Sequence, residues 1–344
     1  MKKLGVLAIA FCMLCCGCGG KSGGDGSPPA GKTTYEETKE MMGTFVKITV
    51  VSDKAGFDKA QKAVDKAFAR FAELEALLSF HRDDSEIARV NRDAFDAPVA
   101  VSAETHELIK SAVQFCKDTD GAFDITVGPL VTLWAKAGEA GKLPADDEIS
   151  AALAKVGADK IVLDDEKKTV RFAVQGMSID LGGIAKGHAI DRAIEILRAE
   201  GVNDAMVQAG GQITAIGRNA DGKKWLVGVR NFFRADGHFE TVELEDMDVS
   251  TSGDYERFVV IDGRKYSHII DPRTGRPVEG ASSVSIIAKD GTTADAWSTA
   301  ASVLGFNKAI ELLRKDGKYK DCEILWAGCS QGFRDYLAPE EGDK

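Results

Sequence analysis

This 344-residue chain has few cysteines and no excess of positive charge. Beyond residue 18 only Cys116, Cys322 and Cys329 remain, and the spacing of the last two fits either a disulfide or two free thiols. The formal net charge of -10 disfavours a general nucleic-acid-binding surface. After the N-terminus no run is long and apolar enough to span a bilayer as a helix, although a 44% hydrophobic share is enough for a sizeable core.

Several common enzyme signatures are also missing. The chain contains no G-x-G-x-x-G dinucleotide fingerprint, no Walker A sequence and no H-E-x-x-H. These absences argue against a Rossmann dehydrogenase, a P-loop ATPase and a zincin.

The first 34 residues are predicted to be an export signal and a tether. Lys2 and Lys3 precede a short apolar run over residues 4–16, and small residues, cysteines and a Gly- and Ser-rich segment follow. The pattern resembles a bacterial lipoprotein signal, in which a cysteine after small residues is lipidated and becomes the new N-terminus. It predicts a signal peptide over 1–17, lipidation of Cys18 with Cys16 as second choice, and a flexible tether over 18–34. An ordinary cleaved signal with incidental cysteines is the alternative.

The rest of the chain mixes helical and strand patterns. Apolar residues at helical spacing predict a long amphipathic helix over 55–78, with a buried face of Ala60, Ala63, Val64, Ala67, Phe68, Phe71, Leu74 and Leu78. Further helices are expected over 102–119, after Gly182-Gly183, over 292–305 and over 306–316. Strands are expected in between, with a hairpin that turns at Asp262-Gly263. Because the elements do not alternate strictly as βαβ, the sequence predicts an α+β fold.

Five stretches carry more glycine and polar residues than folding requires. They are MMGTF (41–45), GAFDITVGPL (121–130), IDLGGIAKG (179–187), SHIIDPRTGRP (267–277) and TTADAWSTA (292–300). Each has a structural alternative. Asp124 could cap a turn, Gly182-Gly183 could simply join a strand to a helix, and Lys186 could be a solvated helix residue.

Asp295 and Thr299 lie one turn apart on a predicted helix that is otherwise apolar. A buried carboxylate is costly unless something pairs with it, and the threonine hydroxyl or a metal ion could do so. Free backbone N–H groups and Lys186 at a helix N-terminus attract phosphate, and His268 lies on a neighbouring strand. Hard oxygen ligands suit Mg²⁺. Together these features predict a metal-dependent enzyme that acts on a phosphate ester or anhydride.

The order of these segments resembles the ApbE family, the FAD:protein FMN transferases. The segments MGT, LS…DSEIARVN, GAFDITVGPL, IDLGGIAKGHAID, AGG, STSGDYER, SHIIDPRTG and ADAWSTA occur in the family's order over about residues 38–335. The resemblance implies an α+β fold of two closely joined parts with FAD between them, and one transferase domain over 35–338 followed by a loose tail over 339–344. It also implies Mg²⁺-dependent transfer of FMN from FAD to a threonine or serine of a target protein, with release of AMP.

The resemblance further implies the residues of the site. The metal ligands would be the carbonyl of Ala185, the carboxylate of Asp295 and the hydroxyl of Thr299. Around FAD it places Met42, Ser79, Asp124, Thr126, Asp180, Gly183, Lys186, Gly210, Gly211, Ser252, Tyr255, His268 and Ile270. The acceptor hydroxyl must lose a proton as it attacks, and His268 is the expected base, with Asp295 able to share that role.

One position departs from the family. Where a tyrosine often lies beside the flavin, this chain has His81, whose ring stacks more weakly and carries a pH-dependent charge. Flavin affinity and the balance between transfer and hydrolysis of FAD to FMN and AMP therefore stay open, as does an exposed loop role for His81.

The expectation is an exported, membrane-anchored lipoprotein that faces the periplasm and acts on subunits of membrane redox pumps or on secreted flavin reductases. The alternatives are a Mg²⁺-dependent FAD pyrophosphatase and a non-catalytic flavin-binding lipoprotein.

Overall fold

The structure is a computed structural model that describes residues 31–230, 239–253, 258–279 and 283–325. Its strands are β1 (Lys32–Met41), β2 (Thr44–Asp53), β3 (Val99–Ala100), β4 (Ile161–Asp164), β5 (Thr169–Phe172), β6 (Ala205–Ala209), β7 (Gln212–Ile216), β8 (Trp225–Arg230), β9 (Phe239–Leu244), β10 (Met247–Gly253), β11 (Phe258–Ile261), β12 (Arg264–Ser267), β13 (Ile270–Asp271), β14 (Arg276–Pro277), β15 (Ser283–Ala288) and β16 (Glu323–Leu325). Its helices are α1 (Phe57–Leu78), α2 (Glu86–Asp93), α3 (Ala103–Asp118), α4 (Gly128–Ala140), α5 (Asp146–Leu153), α6 (Ala185–Ala199), α7 (Gly291–Leu304) and α8 (Phe306–Arg314).

A seven-stranded sheet in the order β1-β2-β6-β7-β10-β15-β16 forms the centre, and every neighbouring pair in it is antiparallel. Four smaller sheets of two or three strands surround it in the described ranges. Antiparallel sheets together with eight α-helices in these ranges confirm the predicted α+β class. The first strand begins at Lys32, inside the last residues of the predicted tether.

Helices α1, α6 and α7 pack beside one another against the central sheet. The buried residues of α1 are the eight that the sequence pattern predicts, and Ile190, Ile194 and Leu197 of α6 are buried as well. They form one large apolar cluster with Trp297 of α7, which has no exposed surface. The ribbon β8–β9 contributes Trp225, Val227, Val229, Val242 and Leu244 to a second cluster.

A third cluster lies around α4 and α5. It joins Leu130 and Trp134 of α4 to Ile261 of β11 and to Ile270 of β13. The hairpin β11–β12 turns at Asp262 and Gly263, both with positive φ, as the Asp-Gly pair predicts.

Two helix starts meet at glycines, and this close approach sets the geometry of the site. A Cβ on Gly187, in the first turn of α6, would lie 2.1 Å from the carbonyl oxygen of Gly291, the first residue of α7. Only glycine at position 187 allows the two helices to come this close. In the described ranges, no helix has both the length and the apolarity to cross a membrane.

Candidate active site

Asp295 lies where α6 begins beside α7. It is 3% exposed, and its Oδ2 accepts a hydrogen bond from the backbone N–H of Gly187 at 3.1 Å. Its Oδ1 lies 3.6 Å from Nζ of Lys186, which also donates to the carbonyl of Gly182 at 2.9 Å. A helix N-terminus favours negative charge, so the first turn of α6 and the lysine stabilise the buried carboxylate. The predicted anion-attracting helix start is present, and the anion that it contacts is a side chain of the protein.

Thr299 lies one turn after Asp295 and faces the glycine turn before α6. A Cβ on Gly183 would lie 3.1 Å from Oγ1 of Thr299 and 3.2 Å from the ring of Phe123. Within the described part of the chain, the Thr299 hydroxyl makes no hydrogen bond to the Asp295 carboxylate. Ala185, the first residue of α6, belongs to the same turn as Gly183. The three predicted metal ligands are therefore grouped around this turn.

Ser252 connects the end of β10 to α7. Its Oγ lies 2.8 Å from Oγ of Ser298, and Ser250 lies 3.3 Å from the same hydroxyl. Ser298 also donates to the carbonyl of Asp295 at 3.0 Å. The sequence predicts Ser252, whereas Ser298 and Ser250 were missed. Ser298 lies between Asp295 and Thr299 in the chain and points toward the sheet.

Two tight turns lie at the same end of the sheet. Met42, with a φ of 52°, links β1 to β2, and Gly210-Gly211 links β6 to β7. A Cβ on Gly210 would lie 3.2 Å from Oγ1 of Thr44, and the carbonyl of Gly211 accepts from Thr251 N at 3.0 Å. One end of the central strands therefore carries four predicted site residues: Met42, Gly210, Gly211 and Ser252.

Asp180 links the glycine turn to the Asp124 segment. Its Oδ1 accepts from Gly182 N at 2.8 Å, and its own N–H donates to the carbonyl of Ile125 at 2.7 Å. The carboxylate is half-buried at the entrance to α6. Its bond to Gly182 N holds the conformation of the turn that leads to Lys186.

Asp124 and Thr126 bond mainly to each other and to nearby backbone. Oδ1 of Asp124 accepts from the Thr126 N–H at 2.8 Å and from the Thr126 hydroxyl at 2.7 Å, while Oδ2 accepts from Ala158 N at 3.0 Å. Thr126 Oγ1 in turn accepts from Gly157 N at 2.7 Å. Burial raises the pKa of the neighbouring Cys116 thiol to about 12. The pair fastens two loops together, which is the turn-capping alternative for Asp124.

Ser79 is the C-cap residue of α1. Its Oγ accepts from the His81 N–H at 3.2 Å, and its carbonyl accepts from the Ser85 hydroxyl at 2.7 Å. The His81 side chain is exposed, and its ring is perpendicular to that of Phe80, with 5.5 Å between the ring centroids.

His268 lies between two short strands. The sequence pattern places Tyr266, His268 and Ile270 on one face of a strand, but β12 ends at Ser267 and β13 begins at Ile270. The Ser267 hydroxyl accepts from Ile269 N at 3.1 Å and bends the backbone between them, so that Ile270 is buried and His268 is exposed. Tyr255 lies outside the described residues.

Two acids near α7, the half-buried Asp191 and the buried Asp248, were missed by sequence reasoning. Asp191 accepts from the N–H groups of Gly291 and Thr292 and from the Thr292 hydroxyl, and burial raises its pKa to about 6. Asp248 is fully buried, so its pKa lies well above the usual range. It accepts from Thr214 Oγ1 at 2.5 Å and from Gln212 Nε2 at 3.1 Å, and Gln212 also donates to the carbonyl of Gly291 at 2.8 Å. Hydrogen bonds to Asp191, and to Asp248 through Gln212, therefore fix the first residues of α7.

The fold and the grouping around the α6 turn define an α+β protein of the kind seen in solved ApbE structures. The ApbE protein of Thermotoga maritima aligns with a TM-score of 0.80 and 36% identity, covering 89% of this chain and 100% of that one. A structure described as the flavin transferase ApbE of Vibrio cholerae aligns with a TM-score of 0.76 and 28% identity, again over 89% of this chain and 100% of that one.

The chain belongs to the ApbE family. A family model described as the ApbE family matches residues 42–325, a range that contains every predicted site residue except Cys18. A Haemophilus influenzae protein named FAD:protein FMN transferase is 32% identical over 332 residues, which cover 92% of this chain and 91% of that protein. The resemblance drawn from the order of the sequence segments is thus confirmed over most of the chain.

Proposed function

We propose that this protein transfers FMN from FAD to a threonine or serine hydroxyl of target proteins and releases AMP. The relatives named FAD:protein FMN transferase support the overall activity. The observation that carries the proposal for the site is the buried Asp295 carboxylate, which lies 3.6 Å from Lys186 Nζ beside a half-buried threonine hydroxyl. The positive Lys186 side chain could bind a pyrophosphate, and the negative Asp295 side chain could bind the metal ion that accompanies it.

The reaction breaks one phosphoanhydride bond and forms one phosphoester. The acceptor oxygen attacks the phosphorus on the FMN side, the bridging oxygen leaves with AMP, and the hydroxyl proton passes to a base. Phosphoryl transfer depends on positioning and neutralisation of charge more than on covalent help from the protein. Lys186 and the first turn of α6 supply positive potential. His268 is the proposed base, and its exposed position leaves it accessible to a protein acceptor.

The oxygen donors fit Mg²⁺. A buried carboxylate, the threonine hydroxyl one turn later and the backbone carbonyl of Ala185 are hard ligands grouped at one turn. Within the described ranges the Thr299 hydroxyl does not donate to the Asp295 carboxylate, so that bond does not occupy the carboxylate oxygens. When bound there, Mg²⁺ would neutralise pyrophosphate charge and stabilise the leaving oxygen.

An incubation with FAD, Mg²⁺ and a threonine-bearing acceptor distinguishes the three candidate activities. Flavin fluorescence on the denatured acceptor indicates the transferase. AMP and free FMN with an unlabelled acceptor indicate a pyrophosphatase, and intact bound FAD indicates a binder. We expect a labelled acceptor and one AMP for each flavin transferred.

His268→Ala tests the proposed base. The variant is expected to bind FAD normally but to lose on the order of 10²–10⁴-fold in transfer rate, the usual contribution of a general base. Lys265→Ala, an exposed change in β12 three residues before His268, is the control and should transfer at the parent rate. Unchanged transfer by His268→Ala would remove histidine from the mechanism.

The exposed His81 keeps the pyrophosphatase as a second candidate. A ring that stacks weakly on the flavin would hold it less firmly while the acceptor approaches, and water would then compete as the nucleophile. We expect His81→Tyr to tighten FAD binding and to lower the yield of free FMN relative to labelled acceptor. Equal yields from both proteins would show that this position does not set the balance.

The first residues of the chain support a proposal for the location of the protein. We propose export, lipidation at Cys18 and attachment to a membrane that faces the periplasm, with residues 18–34 as the tether. The proposed partners, subunits of membrane redox pumps and secreted flavin reductases, would lie on the same side of the membrane. Replacement of Cys18 by serine should release the protein from the membrane fraction, and retention there would contradict lipidation at this cysteine.

A further inference from the structure

His106 is a fully buried histidine outside the candidate active site. It lies in the first turns of α3, and neither ring nitrogen has a hydrogen-bond partner in the described ranges. Its Nδ1 lies 3.8 Å from Oδ1 of Asp165, in the turn between β4 and β5, and 3.9 Å from Oε1 of Glu107. These distances are too long for hydrogen bonds. An unsatisfied buried polar atom is unfavourable, so the ring nitrogen aimed between two carboxylates requires an explanation.

Both carboxylates are ionised at neutral pH. A bond from Lys168 lowers the pKa of Glu107, and a bond from Lys110 lowers the pKa of Asp165. Lys110 contacts Oδ2 of Asp165 at 2.7 Å, which leaves Oδ1 to face the histidine. Lys168 contacts Oε1 of Glu107 at 2.9 Å, the oxygen nearer to the ring. One carboxylate oxygen is therefore available, and the other is shared with a lysine.

We propose that His106, Glu107 and Asp165 form a second metal site that binds Zn²⁺. The three ligand atoms lie within 4.8 Å of one another. In a tetrahedral zinc site with bonds near 2.1 Å, ligand atoms lie about 3.4 Å apart. Each carboxylate oxygen must therefore move roughly half an ångström toward the ring nitrogen, and the two carboxylates must also approach each other from a separation of at most 4.8 Å. Glu107 and Asp165 are exposed side chains and can make that movement, while the buried ring stays fixed.

The donor set selects the metal. One imidazole with two carboxylates suits Zn²⁺, whereas Mg²⁺ prefers an all-oxygen site such as the one proposed at Asp295. The zinc would join α3 to the β4–β5 turn and satisfy one nitrogen of His106. Because Asp165 keeps its bond to Lys110 through the other oxygen, that bond would orient the carboxylate toward the metal.

The neighbouring lysine gives the proposal a directional test. Lys168 competes with a cation for Oε1 of Glu107 and adds like charge beside the site. Lys168→Gln is therefore expected to tighten zinc binding, whereas Asp165→Asn is expected to weaken it by about 10-fold or more. Glu166→Gln removes one exposed negative charge from the same turn without touching the three ligands, and it is the control for charge alone.

Zinc affinity is measured by competition with a chromophoric chelator on the full chain with Cys12, Cys15, Cys16 and Cys18 replaced by serine, because clustered thiolates would bind zinc themselves. Excess Mg²⁺ is present to occupy the oxygen site, and an untagged protein avoids added histidines. We expect one tight Zn²⁺ per chain, a shift of the His106 ring proton in the NMR spectrum, and a parent-like dissociation constant for Glu166→Gln. The readout needs neither FAD nor flavin transfer.

If Asp165→Asn and Glu107→Gln bind zinc as the parent does, or if Asp165→Asn and Glu166→Gln weaken it equally, no site exists at these residues. His106→Gln alone would be a weak test, because a change at a fully buried position can prevent folding. The two exposed carboxylates keep the proposal testable.

Discussion

The chain has two pairs of acid and threonine at short spacing, and they differ in how the carboxylate is used. Asp124 accepts three bonds from the peptide chain and its threonine partner, and the Thr126 hydroxyl donates directly to it at 2.7 Å. Asp295 accepts one backbone bond and faces Lys186, and within the described ranges its threonine makes no bond to it. The first pair is internally satisfied, and the second leaves hydroxyl and carboxylate oxygens for a further partner.

Two other acids, the half-buried Asp191 and the fully buried Asp248, follow the pattern of Asp124. Asp191 accepts from the Thr292 hydroxyl, and Asp248 accepts from the Thr214 hydroxyl, each at 2.5 Å. Three of these four acids accept from a threonine hydroxyl, and Asp295 is the exception. That difference, rather than burial itself, is the physical argument for placing a metal at Asp295.

Among changes to the two pairs, the largest expected effect is that of Asp295→Asn. The amide keeps an oxygen for the Gly187 N–H but removes the charge that faces Lys186, so stability should change little while transfer falls on the order of 10²–10³-fold, about 3–4 kcal/mol. The measurement is AMP release as a function of Mg²⁺ concentration, with urea unfolding as the check on folding. If Mg²⁺-dependent turnover is intact in this variant, the difference between the two pairs has no functional meaning.

Asp124→Ala should act on stability. It leaves the Thr126 N–H, the Thr126 hydroxyl and the Ala158 N–H without their acceptor, and the expected loss is about 3 kcal/mol in the free energy of unfolding. Urea titration measures this loss. The Mg²⁺ concentration for half-maximal transfer should stay at the parent value. An unchanged unfolding free energy would mean that Asp124 does not fasten these loops.

Asp191 should make stability depend on pH. Its pKa of about 6 in the folded protein exceeds an unfolded value near 3.9, so the folded state binds the proton more tightly. Its contribution is fully present below about pH 4 and is lost as pH rises toward 6, a change of roughly 2–3 kcal/mol. Urea unfolding from pH 4 to 7 should show a smaller fall with pH in Asp191→Asn than in the parent. Parallel profiles would contradict the raised pKa.

Much of the fold could be predicted because periodicity records burial. The eight apolar positions of α1 follow helical spacing, and the structure buries all eight. The Asp262-Gly263 turn was predictable because few residue pairs adopt two successive positive φ angles. Helix α2 was missed because eight residues give a short pattern, although Ser85 caps it by accepting from Ala88 N.

The site was only partly predictable, because side-chain partners come from distant parts of the chain. Spacing brings Asp295 and Thr299 together but cannot reveal that Gly187, 108 residues away, donates to the carboxylate. Strand alternation wrongly put His268 on the face of Tyr266 and Ile270, since the Ser267 hydroxyl bends the chain there. Asp248 gave no signal because its partners Gln212 and Thr214 lie on a neighbouring strand.

The smallest expected effects come from removing each threonine hydroxyl without changing its shape. Thr126→Val loses the bond to Asp124 and leaves Gly157 N without its acceptor, so it should cost about 1–2 kcal/mol of stability and leave the Mg²⁺ dependence unchanged. Thr299→Val removes no bond to Asp295, so stability should stay within about 0.5 kcal/mol while the Mg²⁺ requirement rises. Thr299→Ser restores the oxygen and should restore the parent requirement. If both valine variants lose stability and neither alters the Mg²⁺ requirement, the two pairs are alike and Thr299 is a structural residue.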